Sequence, residues 1–182
     1  MALTIQSFSG SDATPFFGDL ARLRSTVFRA FPYLYEGNPQ YEQTYLSTYA
    51  KSEGSVFVLA IDRDQVVGVA TGTPMAGETD EVKRPFLEAG LDPEQFFYFG
   101  ESVLLPGYRG QGIGVKFFEG REAQAKKLGL RYTTFCAVER PVDHPRRPAD
   151  YVPLDAFLQN RGYTHHPALR TTFTWRDLDE TQ

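Results

Sequence analysis

Hydrophobic and polar positions follow two periods along the chain, one typical of helices and the other typical of strands. Two neighbouring runs, Ser55–Ile61 and Gln65–Thr73, are rich in valine and other β-forming residues. Asp62-Arg63-Asp64 between them predicts a hairpin turn. Because both runs are almost continuously apolar, we expect these strands at the centre of a sheet that is covered on both faces.

Other segments predict helices and further strands around this hairpin. In the first helix, Thr14 would be the N-cap, Pro15 the first helical residue and Pro32 the stop signal. The predicted helices cover 15–31, 40–52, 79–89, 112–128 and 154–161, and the further strands cover Leu3–Phe8, Phe96–Leu105, Arg131–Val138 and Arg170–Arg176. This order predicts a mixed α/β (α+β) layer fold, and 182 residues fit a single domain over residues 1–182.

Composition narrows the class of protein without defining its chemistry. Nineteen Lys and Arg against 23 Asp and Glu give a net charge of −4, which argues against broad nucleic-acid binding. One cysteine and three histidines argue against a disulfide framework and against a metal site, and Cys136 is expected to be a small buried hydrophobe. No signal peptide or membrane-spanning run is visible, so we expect a cytoplasmic protein without a membrane partner.

The most informative segment is a glycine-rich stretch after the predicted strand Phe96–Leu105. Gly110, Gly112 and Gly114 stand where this strand leads into the helix over 112–128. Glycines let the backbone approach a ligand and adopt positive φ, and the free N–H groups of a first helical turn attract anions. The segment therefore predicts a phosphate-binding turn.

The spacing of this turn disfavours two nucleotide-binding motifs. A P-loop needs Lys and then Ser or Thr where this chain has Ile113 and Gly114. A dinucleotide fingerprint needs a third glycine where this chain has Val115, and no convincing βαβ unit precedes it. A protein that binds nucleotide phosphates is therefore the weakest interpretation.

The turn instead resembles a known family signature. Arg109-x-x-Gly112-x-Gly114 is similar to the [QR]-x-x-G-x-[GA] motif of the GNAT superfamily of acyl-CoA-dependent N-acetyltransferases. The preceding strand and the following helix extend the resemblance over about 96–128, and Phe157–Tyr163 resembles the family's short late helix that ends in glycine and an aromatic residue. The resemblance implies a central mixed sheet flanked by helices on both faces.

The resemblance also implies a coenzyme A site. Acetyl-CoA would be the co-substrate, with no metal, and its acetyl group would pass to a primary amine by direct attack in a ternary complex. The pantetheine arm would pair with the backbone of Leu104 and Leu105 as an added strand. The backbone N–H groups that would cradle the pyrophosphate are those of Arg109, Gly110, Gln111, Gly112, Ile113 and Gly114.

Transfer to an amine needs a proton acceptor for the amine and a proton for the leaving thiolate. In GNAT-like enzymes the base is often a carboxylate near the strand before the turn, which implies Glu101 as the catalytic base or the amine-binding carboxylate, with Glu139 as the alternative. Apolar neighbours should partly desolvate Glu101 and raise its pKa. Leu158 stands where the family often has a tyrosine acid, so Tyr151 is the candidate acid, with His144 or solvent as alternatives.

Acceptor recognition is expected from two loops. In this fold the loop Phe31–Pro39 commonly shapes the acceptor groove, so Tyr33, Tyr35 and Glu36 are candidate residues for binding a cationic or apolar amine. Packing of these aromatics on a neighbouring loop or subunit is an equal alternative. The polar loop Glu139–Pro153 is long enough to favour a functional role.

Two classes of function remain open at this point. One is an N-acyltransferase that acts on a small-molecule or peptide amine, and the other is a non-catalytic acyl-CoA-binding or sensing module on the same fold. The acceptor, the acyl length and the formation of a homodimer are not fixed by the sequence. We interpret Tyr41, Tyr45 and Tyr49, which recur every four residues, as a packing stripe rather than a binding ladder.

Overall fold

A computed structural model describes residues 3–173 and 178 of the chain. In this part of the chain, five strands form one sheet in the order β1-β2-β3-β4-β5, with antiparallel pairing except between β4 and β5, which are parallel. The strands are β1 Leu3–Ser9, β2 Val56–Asp62, β3 Gln65–Pro74, β4 Phe96–Leu104 and β5 Tyr132–Phe135. The helices are α1 Phe17–Val27, α2 Pro39–Lys51, α3 Asp80–Glu88, α4 Ile113–Lys127 and α5 Asp155–Asn160.

Helices cover both faces of this sheet, so the predicted layered fold is confirmed. On one face, α1 and α2 bury Leu20 and Leu46 against Phe57 and Leu59. On the other face, α4 packs against the alternate residues of the same strands. The central hairpin β2–β3 is buried along almost its whole length, as its apolar runs predict.

The first helix differs from its prediction at both ends. A 3₁₀ turn over Gly10–Phe16 precedes α1, and within it the Thr14 hydroxyl donates to the Ser11 carbonyl at 2.7 Å instead of capping the helix. The helix ends at Val27 because the chain folds back there, bringing the rings of Phe28 and Tyr33 to a centroid distance of 4.4 Å. The local contact between Phe28 and Tyr33 therefore accompanies an earlier helix end than the apolar period predicts.

The last two predicted strands also differ. The strand predicted over Arg131–Val138 is shorter in the structure. It covers Tyr132–Phe135 and ends opposite Phe99 of β4. The strand predicted over Arg170–Arg176 is not formed in residues 170–173, and residues 174–176 lie outside the described residues.

A β-bulge explains why β4 and β5 separate. Thr71 pairs with Glu101 and Gly72 with Phe99, so Gly100 is one residue more than β3 can pair with. A Cβ at Gly100 would come within 2.2 Å of the Tyr49 hydroxyl oxygen, so any larger residue would have to push the Tyr49 side chain aside. Within the described residues, 100–104 of β4 carry no strand on the side of β5, which leaves an open backbone edge that leads to the glycine turn.

Candidate active site

The glycine turn presents free backbone N–H groups at the start of α4. Gly110 and Gly112 have φ of 77° and 81°, the left-handed region that favours glycine. Gly112 is the N-cap of the 15-residue helix α4 and provides no side-chain cap. A Cβ at Gly110 or Gly112 would meet no atom within 4 Å, so the turn is not crowded by other parts of the protein. An uncrowded helix start without a side-chain cap suits a phosphate.

Two contacts hold this turn in place. The Tyr108 hydroxyl donates to Asp62 Oδ2 at 2.7 Å, which joins the turn to the end of β2. This hydrogen bond raises the pKa of Tyr108, because it stabilises the protonated phenol beside a carboxylate. Ile113, the first residue of α4, is buried in the core. The turn is therefore anchored at Tyr108 before the glycines and at Ile113 within them.

The open edge of β4 ends at Leu104. The Leu105 amide donates to the Val67 carbonyl at 3.0 Å, and the Leu105 carbonyl accepts from the Tyr108 amide at 3.0 Å. Leu105 is therefore bonded within the protein. Of the two leucines predicted to pair with a pantetheine arm, Leu104 is the one that stands on the open edge, where its carbonyl accepts a long hydrogen bond of 3.5 Å from Arg109 Nη2.

Glu101 lies at the bulge and belongs to a buried charged cluster. Arg24 of α1 forms ion pairs with both Glu101 and Glu42 of α2, and the side chains of Arg24, Glu42 and Glu101 are only 4%, 1% and 7% exposed. Burial opposes the charge of Arg24, but Tyr45 and Glu42 more than offset it and raise its pKa. Two acids and one guanidinium leave this cluster with one uncompensated negative charge.

This cluster leaves one carboxylate oxygen of Glu101 and one of Glu42 without a hydrogen-bond partner among the described residues. Arg24 pairs with Oε2 of Glu101, whereas Oε1 is buried and has no hydrogen-bond partner among the described residues. Buried polar atoms are nearly always satisfied, so an unmet acceptor suits a ligand N–H group. Glu101 is buried, as its apolar neighbours predict, and it is also paired with a guanidinium that the sequence did not indicate.

Arg121 of α4 supports the bulge from the opposite face. Its Nη1 donates to the carbonyls of Glu101 and Thr71, at 3.1 Å and 3.4 Å. Burial lowers the pKa of Arg121 to about 10, with no carboxylate among the described residues bonded to its guanidinium. Glu101 is thus held by its side chain from one face and by its main chain from the other.

Tyrosines of α2 line the sheet beside Glu101. The Tyr45 ring lies under the Arg24 guanidinium at 3.9 Å, and its hydroxyl is 3.2 Å from Thr71 Oγ1. The Tyr49 hydroxyl donates to Glu78 Oε1 at 2.6 Å. Tyr45 and Tyr49 therefore pack, as predicted, and also hold polar groups at the site, whereas Tyr41 of the predicted stripe is 51% exposed.

The structure brings Tyr33 and Tyr151 together. Arg140 of the long loop donates to the carbonyls of Pro32 and Tyr33, at 2.9 Å each. The rings of Phe31 and Tyr151 meet edge-on at 4.8 Å. Burial raises the pKa of Tyr33, and Tyr151 adds to the effect. The two predicted loops thus form one surface near the charged cluster.

The remaining predicted residues lie elsewhere. Tyr35 is buried, and its hydroxyl bonds the Asn38 amide and Glu42; burial and Glu42 raise its pKa to about 12. Glu36 lies in a surface depression beside Ser25 and Arg29. Glu139 is exposed and ion-paired with Arg170. Cys136 is exposed just after β5, which corrects the expectation that it is buried.

Sequence reasoning did not identify Arg24, Glu42, Glu78 or Arg121 as site residues. Arg24 lies four residues after Leu20, on the buried stripe of α1. A charged residue within an apolar stripe was the available signal, since burial of a charge requires a partner. The partners are distant in sequence, so their identity required the fold.

The chain belongs to the acetyltransferase (GNAT) family, because the family model matches residues 20–148, more than half of its length. A search of curated protein sequences gives no significant match. In the described part of the chain, no helix has the length and apolarity to cross a bilayer, and no three potential metal-ligating acids, histidines or cysteines gather.

Solved structures with the same fold cover nearly the whole chain at low identity. AAC(6')-Iy with a bisubstrate analogue, CoA-S-monomethyl-acetylneamine, has a TM-score of 0.61 and 11% identity, covering 97% of this chain and 99% of that one. The aminoglycoside acetyltransferase meta-AAC0020, from an uncultured soil metagenomic sample, in complex with sisomicin has a TM-score of 0.60 and 16% identity, covering 96% and 97%. A transcriptional regulator from Bacillus halodurans C-125 has a TM-score of 0.63 and 14% identity, covering 94% and 99%.

Proposed function

We propose that this protein is an acetyl-CoA-dependent N-acetyltransferase that acts on a cationic amine by direct attack in a ternary complex. The observation that carries the proposal is the continuity of the open edge of β4 with the glycine turn. At ~3.3 Å per residue, residues 100–104 span roughly 16 Å, a length comparable to an extended pantetheine arm. One end of this edge is the anion-binding turn and the other is Glu101.

The cradle of the pyrophosphate would be the backbone of residues 109–114. Uncapped N–H groups and the positive end of the α4 dipole favour its negative charge. The arm would pair with the backbone edge of β4 up to Leu104, in the manner of an added strand, and would replace the long contact of Arg109 with the Leu104 carbonyl. When bound, acetyl-CoA supplies the activated acyl group, and the bulge at Gly100 is where its thioester would lie.

Glu101 would hold the incoming amine through its free Oε1. Its pairing with Arg24 fixes the side chain, and the uncompensated charge of the cluster favours a cationic acceptor. Tyr33 and Tyr151 would flank the acceptor, with Tyr151 or water donating the proton that the thiolate needs. Aminoglycoside acetyltransferases among the structural neighbours make an aminosugar one candidate class.

A non-catalytic acyl-CoA sensor is the second candidate. Leu158 in place of the family's usual tyrosine and the similarity to a transcriptional regulator favour it. We place either form of the protein in the cytoplasm, because acetyl-CoA is an intracellular metabolite, and we treat residues 1–182 as one domain.

Incubation of the protein with acetyl-CoA and a panel of mono-, di- and polyamines, with free thiol and acetylated product both measured, separates these candidates. The proposal predicts acceptor-dependent release of thiol, and a fall in turnover in Glu101→Gln at unchanged acetyl-CoA affinity. Glu139→Gln, at an exposed acid, should match the wild type. Tight acetyl-CoA binding without turnover on any amine would favour the sensor.

A further inference from the structure

Tyr49 and Glu78 form a hydrogen-bonded pair beside the bulge of β4. The Tyr49 hydroxyl donates to Glu78 Oε1 at 2.6 Å. The same hydroxyl lies against Gly100, since a Cβ on Gly100 would come within 2.2 Å of it. The pair therefore adjoins the position at which the proposed function places the thioester.

Glu78 differs from Glu101 in its electrostatic partners. Glu101 is paired with Arg24, and a carboxylate beside a guanidinium is a poor proton acceptor. Glu78 forms no ion pair with any described Lys or Arg. It precedes α3 and is half-buried, so its carboxylate contacts the Tyr49 hydroxyl on one side and the solvent on the other.

We propose that Tyr49 is a further catalytic residue, which takes the proton of the attacking amine while it passes its own proton to Glu78. The proposal rests on the proposed function. A phenol hydroxyl can accept and donate a hydrogen bond at once, as this transfer requires. Burial raises the pKa of Tyr49 well above its usual value, so the phenol stays neutral between transfers.

The atoms and charges of this step balance. The bound ammonium first loses one proton to water. The neutral amine nitrogen then bonds to the acetyl carbon and becomes positively charged, while an electron pair of the C=O bond moves to the carbonyl oxygen. The nitrogen's second proton moves to the Tyr49 oxygen as the Tyr49 proton moves to Glu78 Oε1. The carbonyl re-forms as the carbon–sulfur bond breaks, the thiolate takes a proton from water, and Glu78 returns its proton to the solvent. Glu101 holds the amine and neither gains nor loses a proton in this step.

The first test uses Tyr49→Phe, Glu78→Gln and the double variant, with an alkylamine that the wild type acetylates. General acid–base catalysis contributes about 10²–10⁴-fold, so each single variant should lose at least roughly 100-fold in kcat while the KM for acetyl-CoA stays the same. Because both residues serve one transfer, the double variant should be no slower than the slower single variant. Tyr132→Phe and Glu88→Gln, at exposed positions, should keep wild-type rates.

A second test separates proton transfer from structural damage. Each variant is assayed with a matched pair of acceptors, the alkylamine and its analogue with fluorine atoms beside the amine. The fluorinated ammonium is much more acidic, so it needs less help to lose its proton. The relay predicts that both variants lose far less rate with the fluorinated acceptor than with the alkylamine.

Three results would overturn the relay. They are wild-type kcat in Tyr49→Phe or Glu78→Gln, losses that multiply in the double variant, and equal losses with both acceptors. If the wild-type protein acetylates an amine, any of these three results leaves the acetyltransferase proposal intact. A wild-type protein that acetylates no amine would overturn both proposals.

Discussion

Arg24 of α1 forms a buried ion pair with Glu101 of β4, and this pair joins the first helix to the bulge at which the open edge begins. Removing one partner of a buried pair leaves an uncompensated charge. Arg24→Gln should therefore lower the free energy of unfolding by about 3–5 kcal/mol in urea titrations. Arg22→Gln, which breaks an exposed pair with Asp19 two residues earlier, should cost at most about 1 kcal/mol. Equal losses of unfolding free energy in Arg24→Gln and Arg22→Gln would contradict a special stabilising role of the buried cluster.

Gly100→Ala should destabilise the protein by overpacking. Its Cβ would approach the Tyr49 oxygen to 2.2 Å and Thr71 Oγ1 to 2.7 Å, and overpacking in a core costs typically ~1–3 kcal/mol. Adding Tyr49→Phe removes the closest atom, so Gly100→Ala should cost less in a Tyr49→Phe background. Gly107→Ala, with no atom within 4 Å of the new Cβ, is the control. Additive effects of the two substitutions would show that Tyr49 does not press on the bulge.

Gly112→Asp should abolish acetyl-CoA binding, as measured by calorimetry. The substitution puts a side chain on a residue with φ of 81° and a negative charge where the pyrophosphate would bind. Gly107→Asp adds the same charge within the preceding 3₁₀ turn Pro106–Tyr108, away from the uncapped N–H groups, and should weaken binding far less. A folded Gly112→Asp protein with unchanged affinity would remove the glycine turn from the coenzyme A site.

Stability should fall between pH 10 and about 12. Burial and the nearby Glu122 carboxylate raise the pKa of Tyr163 from 10.0 to about 12, although the bond with Thr133 opposes the shift. The folded protein thus holds this proton more tightly than the unfolded chain, so its contribution is complete below pH 10 and is lost as the pH rises towards 12. Urea unfolding across this range should show a shallower decline in Tyr163→Phe. An unchanged slope would mean that Tyr163 titrates alike in both states.

The layers of the fold could be predicted from the sequence because local patterns determine them. The continuous apolar runs of β2 and β3 predict burial on both faces, and both strands are buried. The glycine turn was found by its composition, since positive φ at Gly110 and Gly112 demands glycine. These features depend on residues that are close together in the chain.

The charged cluster and the bulge could not be predicted in the same way. Glu101 was identified as the one acid of its strand, but its partners Arg24 and Glu42 come from two other helices. The pairing of β4 with β5 ends at Phe99 and Phe135, next to the bulge at Gly100, and Tyr49 of α2 packs against that glycine. Each of these contacts joins segments that only the folded chain brings together.

A crystal structure with a coenzyme A–amine bisubstrate analogue would test the central claim most directly. We expect the pyrophosphate on the amides of residues 109–114, the arm along residues 100–104 of β4, and the linked amine nitrogen beside Glu101 Oε1 and the Tyr49 hydroxyl. An analogue bound away from the open edge, or with its amine portion on the α4 face of the sheet, would contradict this claim.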